Sequence, residues 1–468
     1  MKARWFVFIL VLVAMLASCA QPTPPVAQVT EPPAAATEAV PTAVPPAEPK
    51  PTEPPTAAPP DEPAAPETLT FWMMKTFVDE ANTQVEERAK AFEAENNVKV
   101  DVRMIAIDDL YPQWAAAIES GDVPDVTYCG YEDAGKFYNQ GVLADLSDVV
   151  AQIQADNGPM NEAVVKAGTF DGKQYAVPMW AEPTVLYYRT DLFEKAGIQA
   201  PPETWEEFLE DAKLLTDESA GVYGAGFGLG RDNSDSEWWM RDILWGNGAS
   251  LFNEDGSAAA VNSPEAQVAF QWLKDFWTTA NVNPPGVIGW DDGGNNAAYL
   301  AGQSAMIVNT GSVYRKMRDE VPDMLEVSGF TLLPAGPEGR YVTGISNHLC
   351  MFTGAKNPEL GKKLIAYMGD KDWLREWMKT GGYLLIPPYN DLIEDEFWQT
   401  DIGKVFGATP QFFAFLGTPG PYTPAAGQVA TDRLLTNAME EFVVQNKPIE
   451  EVLQKLSDDI NAVIAASK

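Results

Sequence analysis

Between positions 20 and 66 the chain carries 16 prolines in 47 residues, with Ala, Thr and Glu filling the gaps. No apolar periodicity runs through this stretch, so it has no face to bury. It is expected to be an extended, partly polyproline spacer. Folding is thereby confined to the 402 of 468 residues from position 67 onward. At roughly 150 residues per domain, that is chain for two or three domains with sizeable cores. An aromatic content of 11% with 14 Trp excludes a disordered or collagen-like body. Net charge is −35, from 32 Lys and Arg against 67 Asp and Glu, which disfavours DNA, RNA or any polyanionic partner. His348 is the single histidine, so His-rich metal sites and schemes needing two imidazoles are excluded. No metal site and no cofactor is expected.

The opening Met1-Lys2-Ala3-Arg4, the apolar run Trp5 to Leu16 and the small residues after it fit a secretory signal over 1–18. A permanent membrane helix needs about 20 apolar residues, and this run is shorter. Leu16-Ala17-Ser18-Cys19 resembles the lipobox of bacterial lipoproteins. That resemblance implies cleavage before Cys19, acylation of Cys19, and a leash (19–66) holding an extracytoplasmic body at the bacterial cell membrane. Cys129 and Cys350 lie in apolar, strand-like contexts. They could pair in that compartment, but buried free thiols are the expected state. No CxxC or CxxH spacing occurs.

From Leu69 strand-like and helix-like stretches alternate. Leu69–Trp72 reads as a strand, Asp79–Asn96 as a helix burying Val85, Ala89 and Phe92, and Val98–Ile105 as a strand. Tyr111–Glu119 reads as a helix and Pro124–Tyr128 as a third strand. Such repetition predicts an α/β sheet with helices on both faces. Thr204-Trp205-Glu206-Glu207 is a capping box, and Ser263-Pro264 and Asn357-Pro358 each read as an N-cap followed by proline. Ile449, Leu453, Leu456, Ile460 and Ile464 mark a final amphipathic helix, and Gly224–Gly230 reads as a glycine-rich strand and turn. The Gly/Asn/Asp-rich stretches 228–236 and 289–296 read as surface or cleft-edge loops.

Several of these pieces occur in a recognisable order. Phe170-Asp171-Gly172-Lys173-Gln174-Tyr175-Ala176-Val177-Pro178 precedes Leu186-Tyr187-Tyr188-Arg189-Thr190-Asp191-Leu192-Phe193 and Pro201-Pro202-Glu203-Thr204-Trp205. Gly121-Asp122-Val123-Pro124-Asp125-Val126 and Gly302-Gln303-Ser304-Ala305-Met306 flank them. Leu333-Pro334-Ala335-Gly336 follows. From about Leu69 to Lys468 the chain resembles the family 1 extracellular solute-binding proteins of ABC importers, the maltose-binding and glycerol-3-phosphate-binding type. The resemblance implies a two-lobed fold of the periplasmic-binding-protein kind, its discontinuous lobes joined by crossing strands with a ligand cleft between them. Crossings are expected near Val177, Thr343 and Ile386. One lobe is then 67–177 plus 344–385 and the other 178–343 plus 386–468.

The same resemblance, with loops at strand carboxyl ends lining the cleft, selects candidate ligand contacts. They are Trp72 and Lys75, Tyr131 and Glu132, Trp180 and Glu182, and Glu237, Trp238 and Trp239. Asn309, Thr310, Gly311 and Ser312 follow, with Ser346, Asn347 and Tyr383 from the returning segment. Sugars need this mixture, because their C–H faces stack on aromatic rings while their hydroxyls need carboxylates and amides. Where the maltose-binding type has a Trp and an Asp-Arg pair, this chain offers Cys129 and Glu132-Asp133, which argues against maltose itself. The implied protein is a monomeric, non-catalytic sugar carrier, for a mono- or oligosaccharide, that docks on the transmembrane subunits of an ABC permease. Glycerol-3-phosphate or a polyamine is the alternative ligand. A carboxylate-dependent glycosidase and a tethered adhesin are the alternatives of other classes, although no GxSxG, HExxH or P-loop motif is present.

Overall fold

The computed structural model describes residues 67–468 except Asp232 and Lys468, with no side-chain description for Asp108. The signal, Cys19 and the proline-rich leash lie outside the described residues.

Two sheets organise the body. The first has strands β1 (Thr68–Met74), β2 (Lys99–Ile105), β3 (Val126–Gly130), β4 (Ala176–Glu182) and, much later in the chain, β8 (Ile345–Cys350), in the order β2-β1-β3-β8-β4. β1 pairs in parallel with β2 and β3, whereas β8 runs antiparallel between β3 and β4. The second sheet has three strands, β5 (Val185–Arg189), β6 (Met306–Asn309) and β7 (Ser328–Thr331), with β5 central and antiparallel to both neighbours. β4 is buried along six of its seven residues, as expected of a strand covered on both faces.

The helices used below are α1 (Asp79–Asn96), α2 (Ile107–Ser120), α3 (Tyr131–Asn139), α4 (Trp205–Leu215), α5 (Ser234–Gly246), α6 (Pro264–Thr278), α7 (Gly294–Leu300), α8 (Gly311–Glu320), α9 (Pro358–Met368), α10 (Pro424–Thr431) and α11 (Ile449–Ala466). Local chemistry sets several of their starts. Thr204 Oγ1 accepts from Glu207 N at 3.2 Å while Glu207 Oε2 accepts from Thr204 N at 3.3 Å, closing the capping box of α4. Ser263 Oγ caps α6 through Ala266 N. Asn357 differs: its side chain donates to Thr68 O at 3.2 Å and ties α9 to β1 instead of capping. α2 begins at Ile107, four residues before the expected start, and carries Pro112 within it.

Each sheet has its own hydrophobic core. Phe71, Trp114, Val126, Trp180 and Trp377 belong to the first; Leu186, Phe208, Trp239, Phe276 and Leu456 belong to the second. A third, smaller cluster built on Ala181, Val185, Tyr187, Tyr383, Ile386 and Phe406 lies where the chain passes between them. The first passage runs from Glu182 to Val185, so the expected crossing at Val177 falls inside β4. Tyr389 and Leu392 still pack in the first core beyond Ile386.

Two further expectations change. Cys129 and Cys350, 221 residues apart, form a disulfide, not two free thiols. Pairing of β8 with β3 sets Cys350 opposite Thr127 and Cys129 opposite His348, bringing the two Cα atoms to 6.0 Å, within bridging range. Gly224–Gly230 forms no strand; Ala225 N and Gly226 N bond instead to Val282 O and Met306 O. Among the described residues, no helix is long and apolar enough to cross a membrane, and no group of three His, Cys, Asp or Glu side chains could hold a metal ion.

Candidate ligand-binding cleft

Strand ends from both sheets open onto one cavity of about 450 Å³. β1 delivers Met74 and, just beyond it, Phe77. β3 delivers Tyr128 and Gly130 and runs directly into α3, whose first turns supply Tyr131, Glu132, Asp133 and Lys136. β4 ends at Glu182, and β8 enters with Ile345, Ser346 and Asn347. On the other side β6 ends at Asn309, followed by Thr310 and Ser312, and α5 begins with Ser234, Asp235 and Trp238. Asp292, Asn296 and Arg433 complete that wall. Ligands in open α/β sheets bind at such strand ends.

Each wall is held by its own polar network. Tyr128 OH donates to Asn347 Oδ1 at 2.7 Å, and Asn347 Nδ2 donates to Glu182 Oε1 at 3.2 Å. Trp180 Nε1 reaches the same oxygen at 3.3 Å. Burial pushes the Glu182 carboxyl up to about 7, more than these donors pull it down. Opposite, Asn233 Oδ1 caps α5 through Ser236 N at 2.8 Å, and Asn233 Nδ2 binds Trp290 O and Asp291 O, so the loop bearing Asp292 is fixed to the helix start. Asp235 Oδ2 accepts from Asn295 Nδ2 at 3.1 Å and Asn309 Nδ2 at 3.2 Å. Burial, then the neighbouring Asp292 charge, raise it to about 8. Asp133 is raised to about 7 by burial and by Glu132.

Glu132 behaves differently. Burial raises its carboxyl, but Arg241 more than offsets this and holds it below the ordinary range. Arg241, 1% exposed, donates through Nη1 to Glu132 Oε1 and through Nη2 to Glu237 Oε1, both at 2.6 Å. Tyr131 OH adds a bond to Glu132 at 2.8 Å, and Thr436 Oγ1 one to Glu237 Oε2 at 2.6 Å.

Of the candidates from sequence, Tyr131, Glu132, Glu182, Trp238, Asn309, Thr310, Ser312, Ser346 and Asn347 line the cavity. The others lie elsewhere. Trp72 packs in the first core beneath Arg103, and Lys75 pairs with Asp79 at the surface at 3.5 Å. Trp180, 1% exposed, packs on Tyr128 and Trp377; Trp239, also 1% exposed, packs on Phe227 and Phe276. Glu237 is consumed by Arg241, and Gly311 packs against the Tyr383–Leu384 backbone. Tyr383 stacks on Phe406 and shares a 2.7 Å hydrogen bond with Thr400 Oγ1. The helical geometry of α5 explains its part of this. Ser234 and Asp235 stand four and three residues before Trp238 and share its face, while Glu237 and Arg241, four apart, share another and Trp239 points into the core.

Asp133, Asp235, Asp292, Asn296, Arg433, Phe77 and Tyr111 also line the cavity, and the sequence does not single them out as contacts. For Asp235, Asp292 and Asn296 the available signal is the Gly/Asn/Asp-rich composition of 228–236 and 289–296.

The profile of the bacterial extracellular solute-binding proteins matches residues 79–374. The chain belongs to this family. Among its relatives, a binding protein of Brucella abortus (strain 2308) is 28% identical over 382 residues, covering 81% of this chain and 89% of the relative. The diacetylchitobiose binding protein of Streptomyces coelicolor is 25% identical over 311 residues, covering 64% of this chain and 69% of its own length. An ABC transporter solute-binding protein from Thermotoga lettingae, solved with bound α-D-tagatose, superposes with a TM-score of 0.74 at 21% identity, covering 85% of this chain and all (100%) of that one. The extracellular solute-binding family and these relatives are binding proteins, and the fold of this chain is theirs.

Proposed function

We propose that the protein captures a mono- or oligosaccharide outside the membrane and delivers it unchanged to an ABC permease, working as a monomer tethered by acylated Cys19. One observation carries this reading: a single cavity gathers the Trp238 and Tyr131 rings with the carboxyls of Glu182 and Asp235 and the amides of Asn309 and Asn347. Rings take the C–H faces of a sugar; carboxyls and amides take its hydroxyls. The Trp238 indole N–H, shielded from solvent and without a partner among the described residues, adds a donor. The diacetylchitobiose binder among the relatives supports the substrate class. Closure around the ligand would select the form that the permease recognises.

A thermal-shift screen of the purified protein against a carbohydrate panel tests this, since a ligand bound only by the native state raises the melting temperature. A saccharide recovered intact after incubation is the expected result. Hydrolysis products would replace the carrier with a glycosidase. Carboxyls and the cations Lys136 and Arg433 line the same cavity, so spermidine and glycerol-3-phosphate belong in the panel as the alternative ligands. A shift with spermidine and with no sugar would reassign the ligand.

A further inference from the structure

β4 has two faces, and each opens onto a different cavity. Glu182 lines the ligand cleft, whereas Ala181, its neighbour in the strand, lines a second cavity of about 330 Å³. Successive residues of a strand point to opposite sides, so the two cavities lie back to back across one strand. Among the described residues, they share no lining. The rear cavity is built where the chain passes between the two sheets. Ala181 and Ile386 exchange backbone hydrogen bonds at 2.9 and 2.7 Å, and Phe413 pairs with Val342, just before β8. Val164, in the short helix Glu162–Ala167, closes the side toward the first sheet, and its carbonyl lies 3.2 Å from His348 Nε2 on β8.

The lining of this cavity is graded. Val164, Ala181 and Ile386 are at most 3% exposed and form an apolar floor with the buried Pro387, while the exposed Asn390 and Gln411 stand at the mouth. Asn161 Nδ2 donates to Asn390 Oδ1 at 2.9 Å and so orients the Asn390 amide. Among the described residues, no charged side chain lines the cavity. An apolar chamber of this volume with a few polar groups is the usual make-up of a small-molecule site. A flat apolar ring suits Phe413, Pro387 and Pro410, and a neutral hydrogen-bonding substituent suits the two amides at the mouth. An ionised substituent would find no countercharge in the lining.

We propose that the rear cavity is a second ligand site, for a small neutral ring compound of the aromatic amide or alcohol class, and that its occupant strengthens ligand binding in the cleft. β4 carries the connection, because the strand that floors one chamber presents Glu182 to the other. The sign follows from the form in which the cavity is found, where Arg241 bridges to Glu132 and joins the two halves of the molecule. An occupant that needs this arrangement of the passages shifts the population toward that form. Linkage makes the effect mutual, so the cleft ligand tightens the rear ligand by the same factor. The site stands apart from the sugar-carrier reading; only the coupling rests on a ligand in the cleft.

Isothermal titration of the full chain with benzamide and benzyl alcohol tests the site, with acetamide as the control that lacks a ring. The expected result is a Kd of about 1 mM or below for both ring compounds and binding at least about tenfold weaker for acetamide. Ala408→Phe, which fills the cavity from the last turn of the helix Asp401–Ala408, abolishes binding. Gln411→Leu, at an exposed position that leaves the melting temperature unchanged, weakens benzamide by about fivefold and keeps the test sound if the larger change disturbs folding. Saturating benzamide then tightens, by about threefold or more, whichever member of the thermal-shift panel fills the cleft. No binding of either ring compound, or binding that survives both variants, would overturn the site. Binding that leaves cleft affinity unchanged or lowers it would overturn the coupling. A panel in which nothing binds overturns the sugar carrier and the coupling together, while the benzamide titration still decides the site.

Discussion

Arg241 on α5 donates to the Glu132 carboxyl on α3 at 2.6 Å, joining a helix of the second core to a helix of the first. The guanidinium is buried and serves Glu237 with its other nitrogen, so one cation neutralises two carboxylates that would otherwise lie unpaired. Glu132, a ligand contact by its place in the sequence, is occupied in holding the two halves of the molecule together.

Removal of that cation is therefore expected to be costly. Arg241→Ala should lower unfolding free energy by about 3–5 kcal/mol, because it strands buried charge instead of removing it. Urea denaturation of the variant, with Glu132→Gln alongside as the milder change, measures this. A loss below about 1 kcal/mol would mean that the pair is not a structural lock.

Stability should also depend on pH in an unusual direction. Glu182 and Asp133, both raised to about 7, and Asp235, raised to about 8, hold protons in the folded state that the unfolded chain releases near 4. The folded state therefore binds more protons between those values, and ligand-free stability falls as pH rises from about 4 to about 8. Melting temperature recorded across that range should decline, and Glu182→Gln should flatten part of the decline. An unchanged slope in that variant would remove Glu182 from the account.

Trp238 and Trp239 should separate cleanly. Trp239→Ala empties a site packed on Phe227 and Phe276 and should cost about 3–5 kcal/mol of stability. Trp238→Ala should leave most of the stability and weaken binding of whichever saccharide the thermal-shift panel identifies. If Trp239→Ala melts normally and loses binding, the assignment of the two faces of α5 is reversed.

α3 and α10 touch through glycines. A Cβ at Gly427 would lie 2.7 Å from the Glu132 carbonyl oxygen, and one at Gly135 would lie 2.6 Å from the Tyr422 hydroxyl. Gly427→Ala should push the helices apart at a cost of about 1–3 kcal/mol. Gly289→Ala, which meets nothing within 4 Å, is the control and should be neutral by the same urea measurement.

Elements with local signals are legible in the amino-acid sequence alone. α1 spans the expected Asp79–Asn96 because Val85, Ala89 and Phe92 recur at helical spacing, and the α4 box reads directly from Thr204 and Glu207. Relationships that depend on register are not. Nothing near Cys129 reveals that β8 will lie beside it, so the disulfide is hidden in a strand pairing that spans 221 residues. The site shows the same divide. Asn309 and Thr310 stand at the carboxyl end of β6, where a search of strand ends finds them, whereas reading 228–236 as a loop hides the start of α5, and with it the rotation that separates Trp238 from Trp239.

The placement of β8 has a consequence in time. A polypeptide emerging amino-terminus first can pair β1, β2 and β3 early, but β3 has an unfilled edge until the chain reaches residues 345–350. β4 has no neighbour to join until then, because β8 is the strand between them. The first half of the molecule thus waits for the second to be delivered, and so long a separation between partners slows native pairing. A body finished only by its late-arriving strand stays open for most of its synthesis.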